Sequence, residues 1–221
     1  MINHALRWPA LLLCLAIGLA PLTATASENA REAPEELVKR VFDESVEALL
    51  DNKDEIRESP RAAYELIQEI FSPLVHYELM GQLILTRHWR EASPEQREAF
   101  IDAFSEYLVR TYAGLLSDNV DMVAKEVNRS GRVLEIQSTT EPDQRGRVVV
   151  RTLIHMQDSP VPVQYRMIAT DESWRVWDVV VENMSFVTNY RDEYGSEIRR
   201  NGLDSLIERL RERNARAWSR N

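Results

Sequence analysis

The chain has 221 residues and a formal net charge of −9, with 36 acidic against 27 basic side chains. That acidic balance argues against nucleic acid and anionic membrane surfaces as partners. A single cysteine, Cys14, excludes a disulfide framework, and the length suits one sizeable core.

Residues 1–26 read as a secretory signal peptide. Arg7 opens it, the apolar run from Ala10 to Ala20 is too short to span a bilayer, and Ala24-Thr25-Ala26 is a small-x-small cleavage site. A lipoprotein signal at Cys14 fits less well, because Leu13 stands where a small residue is wanted. Cleavage after Ala26 removes Arg7 and no acidic residue, which takes the net charge from −9 to −10. It also removes Cys14, and export without disulfides suits a bacterial periplasm. The remainder, 27–221, reads as a single domain. It has a helical lobe at about 34–118, a sheet at about 120–183 and C-terminal helices at about 185–217.

Pro34 opens the first helix, and Leu37, Val38, Val41, Phe42, Val46, Leu49 and Leu50 make one stripe along it. Ser59-Pro60 starts a second, with Tyr64, Ile67, Ile70 and Phe71, which Pro73 breaks. Leu74, Tyr77, Met80, Leu83 and Ile84 predict a third. Ser93-Pro94-Glu95-Gln96 is a capping box with proline at the first helical position. The helix it starts carries Phe100, Ile101, Phe104, Tyr107, Leu108, Tyr112 and Leu115, and Asp118-Asn119 is expected to end it. The period then changes. Strands are expected at 122–127, 132–139, 147–156, 161–170 and 174–182, separated by Ser130-Gly131, Pro142-Asp143 with Gly146, Ser159-Pro160 and Asp171-Glu172. Connections this short predict antiparallel neighbours. After Ser185 the chain is helical again through Val187, Tyr190, Tyr194 and Ile198 until Asn201-Gly202, and a last helix turns Leu203, Leu206, Ile207 and Leu210 inward. The fold class is α+β: a five-stranded antiparallel sheet wrapped by N-terminal and C-terminal helices, enclosing an apolar cavity.

Strand 174–182 organises this reading. Simple alternation puts Trp174, Val176, Asp178, Val180 and Glu182 on one face, and Arg175, Trp177, Val179, Val181 and Asn183 on the other. Both faces carry large apolar residues, so both should be covered by protein or by something bound. Catalytic signals are weak. His76, His88 and His155 have no metal-ligand spacing. Ser185 lacks the glycines of a nucleophile elbow and suits a helix N-cap. Asp178 and Glu182 would lie roughly 13 Å apart on a strand, too far for a glycosidase pair. With Ser185 and Arg191 they are expected to anchor a strand-to-helix corner, one of them accepting hydrogen bonds from Arg191, Arg166 or a backbone turn. No catalytic residue, metal or cofactor is assigned, and the few glycines form no phosphate loop. What remains is apolar capacity. Met80, Leu83, Ile84, Phe104, Tyr107, Leu108 and Leu115 on helices are candidate cavity residues. So are Val150, Ile154, Tyr165, Met167, Trp177, Val179 and Val181 on strands. They could form an ordinary core, hold lipid tails or grip an apolar segment of another protein. A hydrolase using Asp178, Glu182 or Ser185 is the remaining reading.

Several stretches resemble one family. His76-Tyr77-Glu78-Leu79-Met80, then Leu85-Thr86-Arg87-His88-Trp89-Arg90, then Ala92-Ser93-Pro94-Glu95-Gln96-Arg97-Glu98-Ala99-Phe100 are similar to its LG-x-x-W-R-x-A-S-P-E-Q-R-x-x-F signature. Tyr107-Leu108 with Thr111-Tyr112-Ala113, Trp177 to Val187 with Asn189-Tyr190-Arg191, and Gly202-Leu203-Asp204-Ser205-Leu206-Ile207 follow in the family's order. The family is MlaC, the phospholipid carriers of the Mla system, also known as toluene-tolerance auxiliary proteins. The resemblance implies a sheet and helices around a deep cavity for acyl chains, with the headgroup at the mouth and bound phospholipid as the only ligand. It implies transport across the periplasm between an outer-membrane lipoprotein–porin complex and an inner-membrane ABC transporter carrying an MCE-domain protein, which maintains outer-membrane lipid asymmetry. No enzymatic reaction and no metal are implied. Thr86 and Asn183 depart from the pattern, each standing where the family has glycine.

Overall fold

Prolines and capping residues decide where the helices begin. The computed structural model describes residues 31–130, 134–155 and 159–217; the signal-peptide reading at 1–26 and the strand ends at 132–133 and 156 lie outside them. Pro34 opens α1 (Pro34–Asp51), with Glu35 and Glu36 at the positive end of its dipole. Then come α2 (Lys53–Glu58), α3 (Pro60–Ile70), a 3₁₀ turn at Ser72–Leu74 holding Pro73, α4 (Tyr77–Leu85) and α5 (Arg87–Glu91). The capping box at Ser93 forms. Gln96 N donates to Ser93 Oγ at 3.2 Å, and Ser93 N donates to Gln96 Oε1 at 3.1 Å. It starts α6 (Pro94–Ser130), a helix of 37 residues.

The length of α6 corrects one expectation. Asp118-Asn119 does not end it, and 122–127 is helix and not strand. Val120, Val123, Ala124 and Val127 fall at helical spacing. Val120 and Ala124 are buried with Leu49, Ile56 and Ala63 of the first three helices. Asn119 turns its side chain onto Leu115 O of its own helix at 2.8 Å. Asp121 reaches Lys53 at 2.9 Å and Arg57 at 2.6 Å on α2. Tertiary burial decides against the β-branched residues' preference for strand.

The sheet is an antiparallel meander in the order β1 (Leu134–Thr139), β2 (Arg147–His155), β3 (Pro160–Ala169), β4 (Trp174–Val181), β5 (Met184–Ser185). There are thus five strands, but the fifth is a two-residue strand after β4. Glu182 and Asn183 make the turn between them, with φ of 49° and 68°. Positive φ at both central residues is the mark of a type I′ hairpin turn, a backbone conformation that glycine adopts most readily. Asn183 tolerates that conformation better than most residues. Then α7 (Phe186–Asn201) and α8 (Leu203–Ala217) close the chain.

A β-bulge re-phases β4. Arg166 pairs with Asp178, but the next residue, Met167, pairs with Val176, so Trp177 is the extra residue. Val176 and Val179 therefore share a face with Met167 and Tyr165, while Trp177 and Asp178 share the opposite one. Simple alternation along the strand assigns these faces wrongly. Trp177 is covered by side chains and not by a helix. The guanidiniums of Arg147 and Arg166 lie over its ring, 5.2 and 5.8 Å from the centroid.

On the apolar face, α1 lays Leu37 and Val38 against Leu134, Val148, Val150, Met167 and Trp174. The Trp174 indole N–H donates to Glu32 O at 3.0 Å, which fastens the start of α1 to the sheet. A second core lies among helices, where α4, α7, α8 and the first turns of α6 bury Phe100, Phe104, Tyr194 and Leu206.

Candidate functional site

These two cores and the cluster of α1, α2 and α3 on α6 leave a hollow among them. It measures about 450 Å³ and opens to solvent beside Phe71, which is 39% exposed. That volume lies in the range of about 300–1,000 Å³ usual for ligand pockets. Its floor is Tyr165, Val176 and Val179 of the sheet, and its far wall is Leu108, Val109, Tyr112 and Leu116 of α6. Leu66, Ile67 and Ile70 of α3 form one side, with Phe71, Val75, Tyr77 and Met80 after them. Ser45 and Leu49 of α1 and Phe186 of α7 complete it. The helical spacing of Leu108, Tyr112 and Leu116 aims one stripe of α6 at the sheet. Phe186 stacks on Tyr112 with centroids 5.8 Å apart and planes 10° from parallel, which shapes one end.

The walls carry four side-chain hydroxyls. Ser45 Oγ donates to Val41 O at 2.5 Å, and the Tyr77 and Ser72 hydroxyls are 3.2 Å apart. Tyr112 is hydrogen-bonded to Tyr190. Tyr165 has no hydrogen-bond partner among the described residues. Burial raises the pKa of Tyr77 and Tyr112 and pushes that of Tyr165 up to about 12. All of these hydroxyls therefore keep their protons at neutral pH, and the cavity holds no ionised group.

Of the cavity residues expected from sequence, Met80, Leu108, Tyr165 and Val179 are on its wall. The others are elsewhere. Leu83, Ile84, Phe104 and Tyr107 pack in or against the helical core. Val150 and Met167 are sealed under α1, with Ile154 beside them. Leu115 is 53% exposed, because it points about 100° away from its neighbour Leu116. Trp177 is on the other face of the sheet because of the bulge. Val181 is on the cavity's side of the sheet, paired with Val163 and Met184, but does not line it. The sequence reading missed Ser45, Leu49, Leu66, Ile67, Ile70, Phe71, Val75, Tyr77, Val109, Leu116, Val176 and Phe186 as lining residues. Helical spacing from Leu108 finds Tyr112 and Leu116, and Ile67 and Ile70 lie on the apolar stripe of α3, but no local signal says that these stripes face a hollow.

The corner at the end of β4 is built mainly on Asp178, which is fully buried. Its carboxylate accepts from Arg166 Nη1 at 2.9 Å, from Ser185 Oγ at 2.7 Å and from Val187 N at 3.0 Å. Ser185 Oγ in turn accepts from Thr188 N at 3.1 Å and caps α7. Arg191 serves another joint, its Nε donating to Leu83 O of α4 at 3.0 Å. Glu182 is exposed in the turn, so it forms no carboxylate pair with Asp178. Ser185 has a carboxylate and an amide as partners and no histidine base. His76 accepts from Leu79 N at 3.3 Å, His88 lies 3.3 Å from Glu91, and His155 lies 2.7 Å from Glu135. Among the described residues no three His, Cys, Asp or Glu side chains gather as metal ligands, and no helix is long and apolar enough to cross a membrane.

Comparison with known proteins gives a consistent set of relatives. The family described as MlaC protein matches residues 39–212. A protein named toluene tolerance protein ttg2D, from Pseudomonas putida, is 25% identical over 176 residues, covering 79% of this chain and 77% of that protein. One named intermembrane phospholipid transport system binding protein MlaC, from Haemophilus influenzae, is 22% identical over 198 residues, 88% of each chain. The solved structure of a phospholipid-binding protein from Ralstonia solanacearum, in complex with a phospholipid, superimposes with a TM-score of 0.69 at 24% identity, over 82% of this chain and 96% of that one.

Proposed function

The chain belongs to the MlaC protein family, and from that premise we propose that it is a periplasmic phospholipid-binding protein. It carries lipid between an outer-membrane lipoprotein–porin complex and an inner-membrane ABC transporter with an MCE-domain subunit, and so supports outer-membrane lipid asymmetry. Residues 1–26 act as its cleaved signal peptide. The observation that carries this reading is the hollow of about 450 Å³ walled by apolar side chains. At about 30 Å³ for a water-sized group, it takes roughly fifteen methylenes, on the order of one acyl chain. Roughly fifteen methylenes at about 0.8 kcal/mol each give a gross drive of about 12 kcal/mol. Association and ordering costs of about 4–15 kcal/mol offset much of this. A second chain has to enlarge the hollow or lie along the rim at Phe71.

The carrier performs no covalent step, and the buried Asp178 and the half-buried Ser185 are structural. The acidic surface keeps the free carrier off anionic membranes, with screening over about 8 Å at physiological salt. Native mass spectrometry of the purified protein, followed by solvent extraction, tests the reading. Bound phospholipid or uptake of a labelled phospholipid is expected. A ligand-free protein that takes up none would refute it.

A further inference from the structure

One polar group inside the cavity has no use in the fold. The other three wall hydroxyls are engaged: Ser45 with Val41 O, Tyr77 with Ser72, and Tyr112 with Tyr190. Tyr165 is held at mid-strand between Val150 on β2 and Val179 on β4. A strand side chain stands roughly perpendicular to its sheet, so its hydroxyl reaches from the floor towards the helices opposite. No protein group meets it there. Burial is the sole cause of its raised pKa, with no hydrogen bond contributing. The hydroxyl faces a hollow that is open to solvent, where water meets it until an apolar ligand enters, and a hydroxyl then left unmet in an apolar enclosure is costly. A chain that fills the hollow displaces the water there, and the other wall hydroxyls are taken, so the ligand itself is the partner left for Tyr165.

Resting on the carrier reading above, we propose that the Tyr165 hydroxyl is the ligand's anchor inside the cavity. It donates a hydrogen bond to an ester carbonyl of a bound glycerolipid, fixes how deep the chain sits, and selects ester-linked over ether-linked lipids. The chemistry it reads is an acyl carbonyl, which a free fatty acid also offers.

The test uses the lipid-stripped mature protein and its Tyr165→Phe variant. The probes are dipalmitoyl phosphatidylethanolamine, its dihexadecyl diether analogue and palmitic acid. The wild-type protein is expected to bind the diester about tenfold more tightly than the diether, the effect of one lost hydrogen bond that leaves a buried donor unmet. Tyr165→Phe is expected to lose that preference and to bind the two within about twofold of each other, since no unmet donor remains. Its melting temperature should not fall, because the hydroxyl supports nothing in the protein. Equal binding of diester and diether by the wild-type protein would overturn the proposal, as would a preference that survives in the variant. A loss of affinity confined to palmitic acid would overturn the assignment to the glycerolipid ester. Failure of the wild-type protein to bind any of the three would instead overturn the carrier reading itself.

Discussion

The single helix α6 is packed solid along one stretch and left hollow along the next. Near its start, Phe100 and Phe104 stack 5.4 Å apart with planes 7° from parallel. Tyr194 meets both edge-on at 6.2 and 6.0 Å, and Tyr190 meets Phe104 at 5.2 Å. One turn later Leu108, Val109, Tyr112 and Leu116 face Tyr165, Val176 and Val179 across empty space. The two stretches are equally apolar, and they differ in what stands opposite. The first faces helices that come close. Gly81 on α4 is one reason, since a Cβ there would lie 3.3 Å from Trp89 and 3.5 Å from Phe100. The second faces a sheet on which α1 already rests, and α6 with α2 and α3 leans on Leu49 at the far end of α1. A helix-thick prop at one end of the sheet holds the layers apart at the other. Hollowness here follows from the elements around α6, and the residues of α6 are not special.

The largest expected effect breaks the solid stretch. Phe104→Ala removes a stacked and doubly edge-packed ring that is fully buried, so unfolding in urea should show a loss of about 3–5 kcal/mol. A loss under about 1 kcal/mol would mean that this region is not close-packed.

In the hollow stretch the sign of the packing argument reverses. Val179→Trp should be tolerated, where a filled core would object to the added volume by about 1–3 kcal/mol. By displacing about three methylenes at ~0.8 kcal/mol each, it should lower phospholipid affinity by well over tenfold. Leu115→Trp, next to the lining residue Leu116 but exposed, should leave lipid binding within about twofold. Equal effects of the two variants in a fluorescent-lipid titration would count against the assigned wall.

Thr86 offers a smaller change in the opposite direction. It joins α4 to α5 with φ 52° and ψ −111°, a conformation that a β-branched residue rarely adopts. Thr86→Gly should raise stability by about 1 kcal/mol in a denaturant titration.

The smallest effect is electrostatic and concerns the far end of α6. Hydrogen bonds from Arg57 and then Lys53 hold the Asp121 carboxyl well below its ordinary value of 3.8. A lowered carboxyl stabilises the fold fully above the unfolded value, and that contribution fades as pH falls through the folded one. Asp121→Asn should therefore melt slightly lower than the wild-type protein at pH 7, with the gap closing on acidification well below pH 4. Salt should shrink it too, because the pair is exposed. A gap that widens in acid would contradict the assigned pairing of α2 with α6.

Much of this was legible in the residues alone. Pro34, Pro60 and the Ser93–Gln96 box mark helix starts, the alternation in β2 and β3 marks strands, and Ser185 is readable as a cap. Each of these signals lies within a few residues of the feature it specifies, because capping, proline geometry and strand alternation are local. The corner was legible in outline: of the partners expected for its carboxylate, Arg166 and a backbone amide meet Asp178, while Arg191 serves α4. Three matters were decided only by the tertiary structure. Burial of Val120 and Ala124 against the first helices carries α6 through a stretch with strand-like composition. The bulge opposite Arg166 and Met167 turns Trp177 out and Val176 in, and its position depends on the neighbouring strand. Which apolar residues line a hollow and which fill a core depends on the element opposite. A sequence states that a side chain is apolar, while whether another one touches it is a property of the assembled layers.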